Sequence, residues 1–103
     1  TQNFGQVSVN VARPGITKGN HYHHLKNEKF LVVSGTCEIV LRKVGEETIH
    51  RFVCTGNHLQ VVDIPAGYTH SIKNIGNADA VTIMWANELY DPENPDTYLE
   101  KVE

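Results

Sequence analysis

No uninterrupted apolar run in this sequence exceeds four residues; Phe30-Leu31-Val32-Val33 is one, and a membrane-crossing helix needs ~20. A basic-then-apolar leader is missing too. Positive charge is scarce: 9 Lys and Arg against 12 Asp and Glu give a formal net charge of −3 and a pI near 6.0. No basic face is offered to a phosphate backbone, which excludes nucleic acid as an expected partner. With only Cys37 and Cys54, the chain has no disulfide framework. Both lie in strand-like apolar surroundings and read as reduced, buried thiols, so a cytoplasmic location is expected. The chain also lacks an initiator methionine, starting Thr1-Gln2, which suggests a domain excised from a longer two-domain polypeptide.

Helical periodicity is absent as well. What remains is a series of short β-rich runs, near 7–12, 21–24, 28–34, 36–44, 48–54, 59–64, 69–75 and 81–87, punctuated by glycine and Asn/Pro turns. Many short strands at this spacing predict an all-β sandwich or barrel over residues 1–90. The tail 91–103 carries Pro92 and Pro95, which lack backbone donors. It is expected as irregular coil packed on the barrel or on a partner.

A two-residue turn at Gly45-Glu46 pairs Lys43/Thr48, Leu41/His50, Ile39/Phe52 and Cys37/Cys54 on one, inward face. A tight turn at Ser34-Gly35 would add Val32/Cys37, Phe30/Ile39 and Glu28/Leu41 to that face. Glu28, Leu41 and His50 then form one rung, with acid and imidazole ~10 Å apart at ~4.8 Å per strand. A carboxylate aimed into a core is costly unless a positive partner neutralises it.

Candidates for that partner are close by. His21 and His23, two apart, project from one face of a strand, and His70 shares a face with Tyr68, Ile72 and Asn74. Three imidazoles and the Glu28 carboxylate make a nitrogen and oxygen donor set suited to a first-row divalent metal. Donor types alone leave Zn2+, Fe2+, Mn2+ and Ni2+ open.

These residues carry a resemblance. Gly15, His21, His23, Glu28 and Gly35 match the first cupin motif, G-x5-H-x-H-x4-E-x6-G, at every fixed position. Pro65, Gly67, His70 and Asn74 match the core of the second, P-x-G-x2-H-x3-N, although Gly56 stands eight residues before Pro65 where five is usual. The extra length predicts a longer or bulged strand there. The segments GNHYHHLKNEKFLVVSG, VVDIPAGYTHSIKNIG and VTIMWANELYDPENPDTY are similar to the C-terminal cupin domain of bifunctional bacterial enzymes of capsular polysaccharide synthesis. The resemblance implies a jelly-roll fold and zinc in the barrel. It also implies epimerisation at C3 of a UDP-linked 2-acetamido-2,6-dideoxy-4-hexulose, with a short-chain-dehydrogenase-type reductase fused or separate. This chain has no G-x-x-G-x-x-G segment and no βα units of its own.

Such chemistry needs a base and an acid within reach of C3. His50, Tyr68 and Lys26 are the candidates, with His24 a further loop histidine. The alternatives are a non-catalytic module that binds a nucleotide sugar and dimerises a partner enzyme, and a metal-dependent oxygenase, for which three histidines and a carboxylate also serve. Plainer readings apply elsewhere: His58 as a turn residue, Tyr22 facing away from the ligands, and Trp85 with Val81 and Ile83 as core. Leu31 and Val33, and on the other side Val40, Val44, Ile49 and Val53, give the outer surface apolar character. A homodimer, or the tail, is expected to cover it.

Overall fold

The computed structural model describes residues 5–87, 91–93 and 95–103. Nine strands form among them: β1 (Gln6–Ala12), β2 (Thr17–Tyr22), β3 (Glu28–Ser34), β4 (Thr36–Lys43), β5 (Ile49–Thr55), β6 (Val61–Ile64), β7 (Tyr68–Asn74), β8 (Ala80–Ala86) and β9 (Tyr98–Leu99). They build two antiparallel sheets, ordered β1-β8-β3-β6 and β5-β4-β7-β2-β9, packed as a jelly-roll sandwich. No helix among the described residues is long and apolar enough to cross a membrane. The expected barrel boundary at residue 90 lies outside the described residues.

Alternation places the core. Phe30 and Val32 of β3 meet Cys37, Ile39 and Leu41 of β4 between the sheets, joined by Cys54, Val62, Ile64, Ile72 and Ala80. Cys37 and Cys54 stand opposite one another as free thiols, and burial pushes both thiols up.

The β4–β5 register agrees with expectation from Arg42/Ile49 through Leu41/His50, Ile39/Phe52 and Cys37/Cys54. Its turn sits one residue early. Glu46 N donates to Lys43 O at 2.9 Å and Gly45 has φ +89°, so Val44-Gly45 is the corner and Lys43/Thr48 is not in the ladder. The expected β3–β4 pairing is wrong. β3 pairs with β8 and β6, whereas β4 pairs with β5 and β7, so the two strands face each other across the core. Gly35 makes that crossing: at φ +83°, a Cβ there would lie 2.9 Å from Ala80 Cα. A hairpin and a sheet-to-sheet corner leave the same residues facing inward, so parity could not separate them. The rung Glu28–Leu41–His50 therefore does not exist.

Three smaller corrections follow. The residues lengthening the second motif form the connection between β5 and β6 rather than a longer or bulged strand. Trp85 is not core: Met84 packs inward, and Trp85 opposes Val7 on the outer side of β8. The run expected at 21–24 is realised as Thr17–Tyr22.

The tail packs on its own barrel. β9 pairs with the edge of β2, and residues 100–102 continue over the outer face of the five-stranded sheet. Arg42 binds the Val102 carbonyl through Nε at 2.9 Å, and Nη2 reaches the Glu100 carboxylate at 2.8 Å and the Lys101 carbonyl at 2.9 Å. Thr69 donates its hydroxyl to the Glu100 carbonyl. Val40, Thr69, Ser71 and Val102 are buried as a result. Among the described residues nothing covers the outer face of the other sheet in this way: Val7, Val9, Val11 and Val61 are all about half exposed or more, in line with Ile83 and Leu31.

Candidate metal centre and its cleft

His21, His23 and His70 converge between the sheets, with potential ligand atoms all within 4.8 Å of one another. Their rings stand 4.8 Å (His21–His70), 5.2 Å (His21–His23) and 5.7 Å (His23–His70) apart. Glu28 reaches in from the start of β3, its Oε1 2.9 Å from His23 Nε2 and 3.5 Å from His70 Nε2. The four residues that the sequence singled out as ligands are thus brought together.

A bulge makes the convergence possible. β2 pairs with β7 in regular register through Thr17/Lys73, Lys18/Ile72 and Gly19/Ser71, then shifts so that His21 opposes His70. In an unbroken ladder Asn20 would oppose His70, and His21 would oppose Thr69 and face outward with it. Asn20 is the extra residue, at φ +58°. Gly19, at φ +103°, lies so close to β7 that a Cβ would stand 2.7 Å from the His70 carbonyl oxygen. Gly19-Asn20 was not singled out from the sequence, although a Gly-Asn pair inside a strand is a recognisable bulge signal.

Backbone carbonyls hold the outer edges of two of the rings. His23 Nδ1 lies 2.7 Å from the Asp96 carbonyl and His70 Nδ1 lies 3.2 Å from the Tyr68 carbonyl. A carbonyl only accepts, so each Nδ1 carries a proton and each ring turns its Nε2 to the interior. Metal-binding histidines are held by this kind of outer contact. His23 Nε2 and Glu28 Oε1, despite their 2.9 Å separation, are both buried without a hydrogen-bond partner of proper geometry. Burial drives His70 down to about 4, against the opposing pull of Glu28, and burial with the neighbouring His23 lowers His21. These imidazoles resist protonation. Burial pushes the Glu28 carboxyl up, yet His23, His70 and Lys26 together hold it below the usual carboxylate value. Three imidazoles and a carboxylate are a donor set that fits a divalent metal.

The cluster opens onto a cavity of about 310 Å³ lined by Ser8, Asn10, Lys18, His21, Glu28 and His70, among others. A second, of about 180 Å³, is lined by Lys26 with Gln6 and Trp85, and shares Ser8, Glu28 and Met84 with the first. Of the residues expected to move protons, Lys26 lines the smaller cavity, and Tyr68, half-buried against the core on the inner face of β7 two residues before His70, lines neither. His50 is exposed near the start of β5 and lines neither cavity. His24 is exposed, its ring 4.5 Å from that of Tyr98, outside the cluster. Asp96, whose carbonyl fixes the His23 tautomer, carried no signal in the sequence.

Histidines and a glutamate gathered inside a two-sheet jelly roll define a cupin-type domain. Residues 1–98 match the family described as the polysaccharide biosynthesis C-terminal domain, and the chain belongs to that family. It is 43% identical over 98 residues to a UDP-2-acetamido-2,6-β-L-arabino-hexul-4-ose reductase of Pseudomonas aeruginosa, an alignment covering 95% of this chain and 26% of that protein. The solved structure of the capsular polysaccharide assembling protein CapF from Staphylococcus aureus is 59% identical, with a TM-score of 0.94 over 99% of this chain and 30% of that one. The chain thus spans less than a third of either relative. At 20% identity, the dTDP-6-deoxy-D-glucose-3,5-epimerase RmlC from Legionella pneumophila superposes with a TM-score of 0.82 over 96% of this chain and 55% of that one, a likeness of fold.

Proposed function

We propose that this domain epimerises C3 of a UDP-linked 2-acetamido-2,6-dideoxy-4-hexulose, using a divalent metal held by His21, His23, Glu28 and His70. Zinc is the first expectation, with Fe2+, Mn2+ and Ni2+ as alternatives. The observation that carries the proposal is the buried approach of Glu28 Oε1 to the lone-pair faces of His23 and His70 at the wall of the cleft. The larger cavity falls in the range that takes small molecules. Support for the substrate class comes from the Pseudomonas relative, whose name specifies a UDP-linked 2-acetamido 4-keto sugar, and from the Legionella structure, which holds dTDP-4-keto-L-rhamnose.

A C–H bond beside a ketone is acidic only when the charge left on oxygen is stabilised; a bound divalent ion supplies that stabilisation as a Lewis acid. The chain's own groups must then move the proton. Inversion requires removal on one face of the sugar and return on the other. Lys26, at the cleft wall beside Glu28, is assigned one transfer and Tyr68 the other. A short-chain-dehydrogenase-type reductase, fused or separate, would then reduce the keto group.

The test is solvent exchange. In D2O the protein should introduce deuterium at C3 of the 4-keto sugar, lose that activity to a chelator and regain it with zinc. Binding of the sugar nucleotide without exchange would instead identify a non-catalytic module, and oxygen consumption with iron alone an oxygenase.

A second copy of the chain is proposed to cover the outer face of the β1-β8-β3-β6 sheet, where Val7, Val9, Val11, Leu31, Val61 and Ile83 lie in register. A Val9→Asp variant should elute as a monomer in light-scattering chromatography where the wild type elutes as a dimer. A wild-type monomer at micromolar concentration would reject this interface.

A further inference from the structure

We propose that Asp96 is a positioning residue that aims the His23 ring and fixes the corner carrying Lys26; the inference rests on the metal-site reading above. Residues 23–27 join β2 to β3 outside either ladder. Gly67 N donates to the His23 carbonyl at 2.7 Å, which holds the backbone there but leaves the ring free to turn. Asp96 supplies what is missing from the far end of the chain. Its carbonyl accepts from His23 Nδ1 at 2.7 Å. Its carboxylate accepts three consecutive backbone N–H groups: His24 at 2.9 Å, Leu25 at 2.8 Å and Lys26 at 3.2 Å. Asp96, with Thr97 Oγ1 3.4 Å from the same Nδ1, thereby sets the orientation of a ligand ring, and its carboxylate sets the position of the side chain assigned to proton transfer.

Its backbone is built for the task. Asp96 has φ +52°, a left-handed conformation that aspartate tolerates better than most residues and that turns carbonyl and carboxylate toward the same corner. The strap bearing it is tied down a few residues on. Glu100 N donates to the Asn20 carbonyl at 2.9 Å, and Val102 N donates to Asn20 Oδ1 at 3.2 Å. The residue bulged to bring His21 opposite His70 thus also anchors the strap that orients His23. The tail and the donor set are mechanically one unit.

The experiment compares the wild type with Asp96→Gly, which accepts the positive φ but removes the carboxylate, and with Asp96→Asn, which keeps one acceptor oxygen. Co2+ affinity is measured by chelator competition, together with the visible absorption of the Co2+ form. In the metal-free proteins, long-range 1H–15N spectra report the His23 tautomer. Asp96→Gly should weaken Co2+ binding roughly 10–100-fold, the range for loss of an outer-sphere partner, and shift the Co2+ bands. Asp96→Asn should fall between that variant and the wild type. Asp96→Gly keeps the backbone carbonyl, so the His23 signals report how far the carboxylate holds that carbonyl in place: without metal, protection of the His23 Nδ1 proton should fall in Asp96→Gly while the His70 signals persist. Wild-type affinity, bands and His23 signals in Asp96→Gly would overturn the proposal. If wild-type protein takes up no Co2+, the metal reading fails, and the imidazole spectra alone decide the role of Asp96.

Discussion

A His70→Ala variant is expected to lose both its metal and its ability to exchange the C3 proton, the latter by about 10³-fold or more. The figure follows from several kcal/mol of charge stabilisation withdrawn from the step, at about 1.4 kcal/mol per tenfold. His70 is the central strut of the donor set. It opposes His21 across the β2–β7 ladder, its Nε2 lies 3.5 Å from Glu28, and its ring packs edge-on against Phe30. Removing it leaves two imidazoles and a carboxylate in the cluster and opens a void beside Phe30. Thermal unfolding of the metal-free proteins separates the two consequences. A midpoint lowered by a few degrees is the packing loss, whereas metal content by elemental analysis and deuterium uptake by NMR report the site. A variant that retained its metal and exchanged at the wild-type rate would show that His70 is not a ligand.

Glu28→Gln makes a complementary probe, because the amide keeps the shape and removes the charge. The neutral side chain no longer repels the lone pairs of His23 and His70, since its amide nitrogen can donate to one of them. Loss of metal with little loss of fold is therefore expected from Glu28→Gln.

What could be read from the sequence was governed by parity. Glu28, Phe30 and Val32 on one strand, and Cys37, Ile39 and Leu41 on the next, face inward as alternation dictates. Which strands pair was not readable, because Ser34-Gly35 serves a hairpin and a corner between sheets equally well. His50 shows the limit of the same rule: it has the inward parity of Cys54 and Phe52, but exposure rises steadily along 54, 52 and 50 as β5 leaves the core. The ligand residues were visible as a cupin pattern, yet their convergence depends on Asn20, an inserted residue that reverses the facing of His21. Asp96 was hidden for a different reason. It acts on His24 across 72 residues of sequence, and on His23 through its backbone carbonyl, a group every residue possesses.

Substitution of Lys26 and of Tyr68 should uncouple exchange from inversion, and the way they do so assigns each group a face of the sugar. A group that only returns a proton is dispensable for forming the carbanionic species, so its loss permits deuterium to wash into C3 with the original configuration. A group that removes the proton is needed for both outcomes. Lys26→Met keeps the length of the stem without the ammonium, and Tyr68→Phe keeps the ring that packs against the core without the hydroxyl. Each is expected to reduce net epimerisation by about 10²–10⁴-fold, the usual worth of a positioned acid or base. In D2O, one variant should also lose exchange of the starting epimer and the other should retain it. Lys26 is assigned the proton-returning role, so exchange should survive in Lys26→Met and vanish in Tyr68→Phe. Because neither side chain is among the four proposed ligands, both variants should keep wild-type metal content, which distinguishes this result from collapse of the site. Undiminished epimerisation in both variants would remove Lys26 and Tyr68 from the reaction and leave the proton to be carried by water in the cleft.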